Sequence, residues 1–217
     1  MMVFKYRYAY VDYSFFACGG TRFGCIMNEI LEAAHRAYAQ GAADHEERVG
    51  MDKKVYELLN DQINKELYSA YLYMDFANYY EEEGLSGFAN WYMIQAQEER
   101  DHALKFRSYL HENGEKVKLG AIAGPDKTFT NYVEPLEAGL EHEKYVTSLI
   151  NDIYSAAFDV HDYRTMKFLD WFIEEQGEEE DTAETMLTRM KLFGNDAKAL
   201  YDLDQECASR TYSAPAE

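Results

Sequence analysis

Proline and glycine are scarce, at three and thirteen in 217 residues. That scarcity disfavours turn-dense β architectures and leaves room for long uninterrupted helices, so the expected class is all-α. Cysteine is limited to Cys18, Cys25 and Cys207, with no CxxC pair. An odd, dispersed set argues against a disulfide framework and sets a reducing cytoplasm as the expected compartment. Positive charge is short as well: 21 Lys and Arg stand against 40 Asp and Glu, leaving a net charge of -19 and a pI near 4.6. Such a chain repels nucleic-acid phosphates and anionic membranes and draws in cations, although acidity also serves plain solubility. No apolar run is long enough to span a bilayer, and residues 1–20 interleave Tyr, Lys and Arg with short apolar patches where a signal peptide would have a clean core. Nucleic acid and membrane are therefore not the expected partners, and metal cations are.

What is present is helical periodicity. Val55, Leu59, Gln62, Glu66, Ser69, Tyr73 and Phe76 advance by three or four residues along one seam that ends at Glu83 and Gly84. A second seam runs through Phe88, Tyr92, Gln95, Glu99, His102, Phe106 and Tyr109 to the stop signal Asn113-Gly114. The short link from Gly84 to Ser86 makes these two helices an antiparallel hairpin. Residues 114–131 carry Gly114, Gly120, Gly124 and Pro125 without a helical period. That stretch is too long for a hairpin turn and suits a crossover along a bundle. Leu136, Leu140, Glu143, Thr147, Ile150, Tyr154 and Ala157 mark a third seam. Leu169, Phe172, Gln176, Glu179, Ala183, Met186, Met190 and Phe193 mark a fourth, closed by Gly194 and Asn195. Residues 196 to about 207 allow one short further helix, and 208–217 read as a frayed, flexible tail. Two helical hairpins joined by one long crossover, with helices of about thirty residues spanning roughly 45 Å, define the expected four-helix bundle.

Each of these otherwise apolar seams holds a carboxylate near its middle: Glu66, Glu99, Glu143 and Glu179. Burying one isolated carboxylate costs several kcal/mol, so four converging anions require neutralising cations, and a pair of divalent metals would serve. Glu99 and His102 form Glu-x-x-His, whose i, i+3 spacing turns both side chains toward one ion. Gln176 and Glu179 repeat that spacing with an amide in the Glu slot and a carboxylate in the His slot. Oxygen-rich ligation with one imidazole suits iron or manganese better than a closed structural zinc site. A lone Glu-x-x-His recurs on solvated helices; four acids in four correctly ordered helices point to a metal site.

The strings ELYSAYLY (66–73), AQEERDH (96–102), HEK (142–144) and FIEEQGEEE (172–180) resemble the metal-binding segments of bacterial non-haem ferritins, a ferritin-like di-iron carboxylate family. The similarity runs from about residue 51 to 207. It implies an iron-storage subunit that oxidises ferrous iron with oxygen or peroxide and deposits ferric mineral in a homo-oligomeric cage of twenty-four subunits. It also implies a first iron on Glu66, Glu99 and His102 and a second on Glu143 and Glu179, with Glu99 bridging and Gln176 close by. A third position would fall at Glu98, Glu175 and Glu178 with Glu179 shared, although the acidic run 174–180 also fits a solvated helix face. Tyr73, two turns beyond Glu66, resembles the tyrosine beside the di-iron centre, placed to donate a hydrogen bond to a metal ligand or to supply an electron; Trp171 near the same level shares the redox role, and simple packing fits either ring equally.

Haem-containing relatives repeat Glu-x-x-His on the fourth helix and place a haem-ligating Met directly after the second-helix Glu. Here those places hold Gln176-Gly177-Glu178-Glu179 and Arg100, so the expected cofactor is non-haem iron. Rubrerythrins add two CxxC pairs that this chain lacks. A di-iron oxidase without storage, or a metal-free helical scaffold, stand as alternatives. Of the remaining histidines, His142 is expected to face away from the site. Met74, Met93, Met186 and Met190 are expected in the core. Residues 1–50 differ in composition: Lys5, Arg7, Arg22, Arg36 and Arg48 nearly balance six acids, and Tyr6, Tyr8, Tyr10 and Tyr13 cluster near the start. This segment reads as an over-extended start or an appended arm, with Asn28 to Gln40 able to form a short amphipathic helix.

Overall fold

The computed structural model describes residues 50–214; the N-terminal segment up to residue 49, including the expected helix from Asn28 to Gln40, and residues 215–217 lie outside the described residues. Five helices follow in order: α1 (Lys53–Glu82), α2 (Ser86–Glu112), α3 (Glu134–Asp159), α4 (Tyr163–Phe193) and α5 (Ala197–Ala208), with no strand among the described residues.

The ends of these helices follow from local chemistry. Asp52 caps α1 by accepting from the amides of Lys54 and Val55 at 2.9 and 3.2 Å. Asp162 caps α4 through Thr165 N at 3.0 Å, and Asp196 caps α5 through Ala199 N at 2.8 Å. Gly84 sits at φ +78° after α1 and Gly114 at φ +80° after α2, where a side chain would be strained. Pro135 starts α3, where its missing amide hydrogen is no loss.

Two apolar clusters fill the bundle. One gathers Tyr73, Phe76 and Tyr80 of α1, Phe88 and Tyr92 of α2, Leu136 of α3 and Met186 and Met190 of α4. The other gathers Val55, Leu59 and Ile63 of α1, Phe106 and Leu110 of α2, Val146 and Ile150 of α3 and Leu169 and Phe172 of α4. Each such buried side chain contributes about 1.5–3 kcal/mol. Their order along the chain fixes the directions: α1 and α4 run from the second cluster to the first, and α2 and α3 run the opposite way.

Because α2 and α3 are parallel, their connection must traverse the bundle, and residues 113–133 do so along α1. Tyr56 Oη donates to Lys116 O at 2.7 Å, Asn60 exchanges bonds with Lys118 at 2.9 and 2.8 Å, and Asn64 does so with Ala121 O and Gly120 N at 3.2 and 3.0 Å. Four helical residues rise about 6 Å, nearly the span of two extended ones, so one-sided amides on α1 can satisfy every second residue of the crossover. Tyr80 Oη closes the run on Tyr132 O at 2.7 Å.

Helix α5 docks against the start of α2. Asp204 Oδ1 accepts from Gly87 N and Phe88 N at 2.8 and 3.0 Å, capping a helix that lacks a side-chain cap of its own. A Cβ at Gly87 would lie 1.7 Å from Asp204 O, so this approach requires glycine. Three core assignments are corrected by the fold. Met74 and Met93 are 39% and 48% exposed and Phe193 is also exposed, because the seam wraps less of each helix than the apolar spacing suggested; Met186 and Met190 are buried.

Candidate metal centre

Between the two apolar clusters lies a polar layer: Gln62, Glu66 and Ser69 from α1, Gln95, Glu99 and His102 from α2, Glu143 from α3, and Gln176 and Glu179 from α4, all buried. Successive helical turns place each carboxylate at the same level, since every seam reaches its acid after crossing one cluster.

Glu66, Glu99 and His102 can offer one ligand atom each within 4.8 Å of one another. His102 Nδ1 lies 3.6 Å from Glu99 Oε2. Glu66 Oε2 and both ring nitrogens of His102 are buried without a hydrogen-bond partner. Groups with such a cost of isolation fit a divalent cation that none of the neighbouring protein atoms replaces. Opposite them, Glu143 accepts from Tyr73 Oη on one oxygen and from Gln176 Nε2 at 3.1 Å on the other. Glu179 accepts from Gln95 Nε2 at 2.8 Å.

Burial, with repulsion from Glu99, pushes the Glu66 carboxyl from the ordinary 4.5 to about 8. Burial and the Glu143 charge push Glu179 to about 7. Glu99 and Glu143 are raised chiefly by burial, and burial with the Glu143 charge also lifts the Tyr73 phenol. Without a cation the layer holds protons in its place.

Two amides of this layer carried no assigned role in the sequence. Gln62 donates to Glu66 Oε1 at 2.9 Å and Gln95 donates to Glu179. Their signal was present, since each precedes a seam acid by four residues, at Glu66 and Glu99. The expected third position is not gathered in the same way. Glu98 pairs with Arg210 at 2.7 Å, Glu175 faces His102 Nε2 at 3.8 Å, and Glu178 is exposed. Trp171 meets the edge of His102 with ring centroids 5.4 Å apart and lies under Lys105 Nζ at 4.1 Å. His142 bonds Ser69 Oγ at 2.8 Å between α1 and α3, where burial and Lys127 lower its pKa to about 4.

A cavity of about 20 Å³ touches this layer, lined by Tyr73, Tyr92, Gln95, Glu143, Glu179 and Met186 among others. It exceeds the roughly 10–15 Å³ one water needs.

A helical bundle with a buried carboxylate and histidine layer defines the class of ferritin-like proteins with a metal-ready core. The family model described as ferritin-like domain matches residues 56–193, and the chain belongs to that family. It is 37% identical over 162 residues to a bacterial non-heme ferritin of Staphylococcus haemolyticus, covering 75% of this chain and 98% of that protein. It is 34% identical over 164 residues to a probable bacterial non-heme ferritin-like protein of Haemophilus influenzae, covering 76% and 99%. Among solved structures, a closed form of the Archaeoglobus fulgidus ferritin made by site-directed mutagenesis matches at TM-score 0.74 and 40% identity, over 76% of this chain and all of that one. The open-pore ferritin of the same archaeon matches at TM-score 0.73 and 39% identity, over 75% and 99%.

Proposed function

We propose that this chain is a ferroxidase subunit of an iron-storing ferritin, with ferrous iron as substrate and oxygen or hydrogen peroxide as acceptor. The observation that carries the proposal is the set of orphaned ligand atoms on Glu66 and His102 beside Glu99, buried together in one layer of the bundle.

Glu66, Glu99 and His102 would hold one ferrous ion, and Glu143 and Glu179 a second, with Glu99 bridging. Gln176 and Tyr73 fix the Glu143 carboxylate, and Gln95 fixes Glu179. Two ions held as a pair supply two electrons together. With two protons these reduce oxygen to hydrogen peroxide, or hydrogen peroxide to two waters, while each iron becomes ferric. The protons displaced from Glu66 and Glu179 on iron binding are available locally. The small cavity beside Tyr73 has room for a water-sized molecule next to Glu143 and Glu179. Ferric product would then move to the interior of a closed shell, for which twenty-four copies in the cytoplasm is the family's pattern.

Anaerobic ferrous titration followed by mixing with oxygen tests this reading. The wild type is expected to bind two or more ions per chain and to oxidise them rapidly. Glu99→Ala combined with His102→Ala should abolish the tight pair and slow oxidation by orders of magnitude. Identical binding and oxidation in both proteins would leave the bundle as a scaffold.

A further inference from the structure

The segment after α5 is held along α2. Asn90 Nδ2 donates to Cys207 O and Arg210 O at 3.2 and 3.1 Å, fixing the end of α5 and the start of the segment. The Arg210 guanidinium lies 4.0 Å over the Trp91 ring, donates to Trp91 O at 3.5 Å and binds Glu98 Oε2 at 2.7 Å. Tyr212 Oη then donates to Asp101. Residues 207–210 close a turn at Asn90, with Arg210 N donating to Cys207 O at 3.2 Å, and the Arg210 and Tyr212 side chains reach along α2 to Glu98 and Asp101.

Arg210 and Glu98 are 21% and 17% exposed, which makes this pair far better shielded than the surface ion pairs among the described residues, such as Arg189–Glu206. Glu98 adjoins the ligand Glu99 in sequence, and its charge reaches both Glu99 and Glu179. On the same side Glu175 faces the buried, unpartnered Nε2 of His102. The carboxylate next outward from the metal centre is thus already occupied by a cation belonging to the chain.

Resting on the ferroxidase reading, we propose that Arg210 is a tethered counter-ion that competes with iron for Glu98, so that the strap of residues 209–212 restrains iron from leaving the paired site toward Glu98 and Glu175. The guanidinium supplies the charge that a metal would supply, without coordinating to Glu99 or His102. Displacement requires iron to break a shielded charge-assisted bond and a cation–π contact together. The strap therefore acts by affinity, opposing a cation at Glu98.

Equilibrium binding of ferrous iron under anaerobic conditions, read as stoichiometry and affinity without any oxidant, tests this. Arg210→Gln is expected to bind a third ion per chain at least about tenfold more tightly than wild type, because one charge-assisted hydrogen bond no longer opposes it. Adding Glu98→Gln should remove that gain. Tyr212→Phe, which loosens the strap while keeping Arg210, should shift the third ion in the same direction by less. A third ion of equal affinity in wild type and Arg210→Gln overturns the strap, as does a gain that survives Glu98→Gln. Two ions in both proteins with no third overturns the strap alone. No binding in either protein overturns the paired site and the strap with it.

Discussion

Glu66 and Glu179 stand among the costliest side chains of the described residues, and they are kept in place by neighbouring amides. Gln62 and Gln95 each donate one amide hydrogen to a buried carboxylate, Glu66 and Glu179, and Glu66 Oε2 is left without a partner, open to iron on the proposed reading. Gln95→Leu retains most of the packing volume but frees Glu179 to rotate. Ferrous affinity at the paired site is expected to fall by about tenfold, in the range seen when partners of metal ligands are removed, with the thermal transition close to wild type. Unchanged affinity in the anaerobic titration would make Gln95 a packing residue only. Tyr73 packs its ring edge-on to Phe76 at 5.7 Å and donates its hydroxyl to Glu143.

At the scale of elements, α5 is the most conditional part of the fold. It is short, and an isolated helix of that length is marginal in water, so it depends on the bundle. The bond from Asp204 to the first amides of α2 joins the two helices, and Arg189 of α4 reinforces it by donating to Glu206 at 2.8 Å. Gly87→Ala would drive a Cβ into the Asp204 carbonyl and should release α5 while the four long helices remain folded. Limited proteolysis is the readout: cleavage between Gly194 and Cys207 should become rapid in the variant, with helical content by circular dichroism falling only slightly. Protection equal to wild type would mean that α5 can shift to make room. Asp204→Ala should act more mildly, at about 1 kcal/mol for a lost cap.

For the molecule as a whole, the buried acids reverse the usual dependence of stability on pH. A carboxyl raised from 4.5 to about 8 holds its proton in the folded chain and loses it on unfolding across that interval. The folded state then binds more protons than the unfolded one, so metal-free stability falls as pH rises from about 4.5 to about 8, by up to about 1.4 kcal/mol per pH unit for each proton held. Glu179, raised to about 7, adds to the fall over a narrower interval. Thermal transitions of metal-free protein between pH 5.5 and 8 should show a steeper decline in wild type than in Glu66→Gln. Parallel curves would remove Glu66 as the source. Ferrous iron should cancel the decline, because it replaces the protons and binds more tightly as they leave.

The sequence by itself determined the bundle, its directions and its acid layer. Periodicity named the four seams because a helix repeats its face every three to four residues, and Gly84, Gly114 and Pro125 punctuated them where backbone chemistry demands it. The meeting of Glu66, Glu99, Glu143 and Glu179 was legible for the same reason: each lies mid-seam, and mid-seam acids in four packed helices have nowhere else to go. Three things were decided only by tertiary structure. Met74 and Met93 have core spacing but lie on flanks left exposed among the described residues, which periodicity cannot see. Gly87 reads as an ordinary glycine until Asp204, 117 residues later, comes to lie against it. Arg210 stands in a tail whose composition suggests fraying, and only the docking of α5 carries it to Trp91 and Glu98, because a contact across 112 residues leaves no local pattern in the chain.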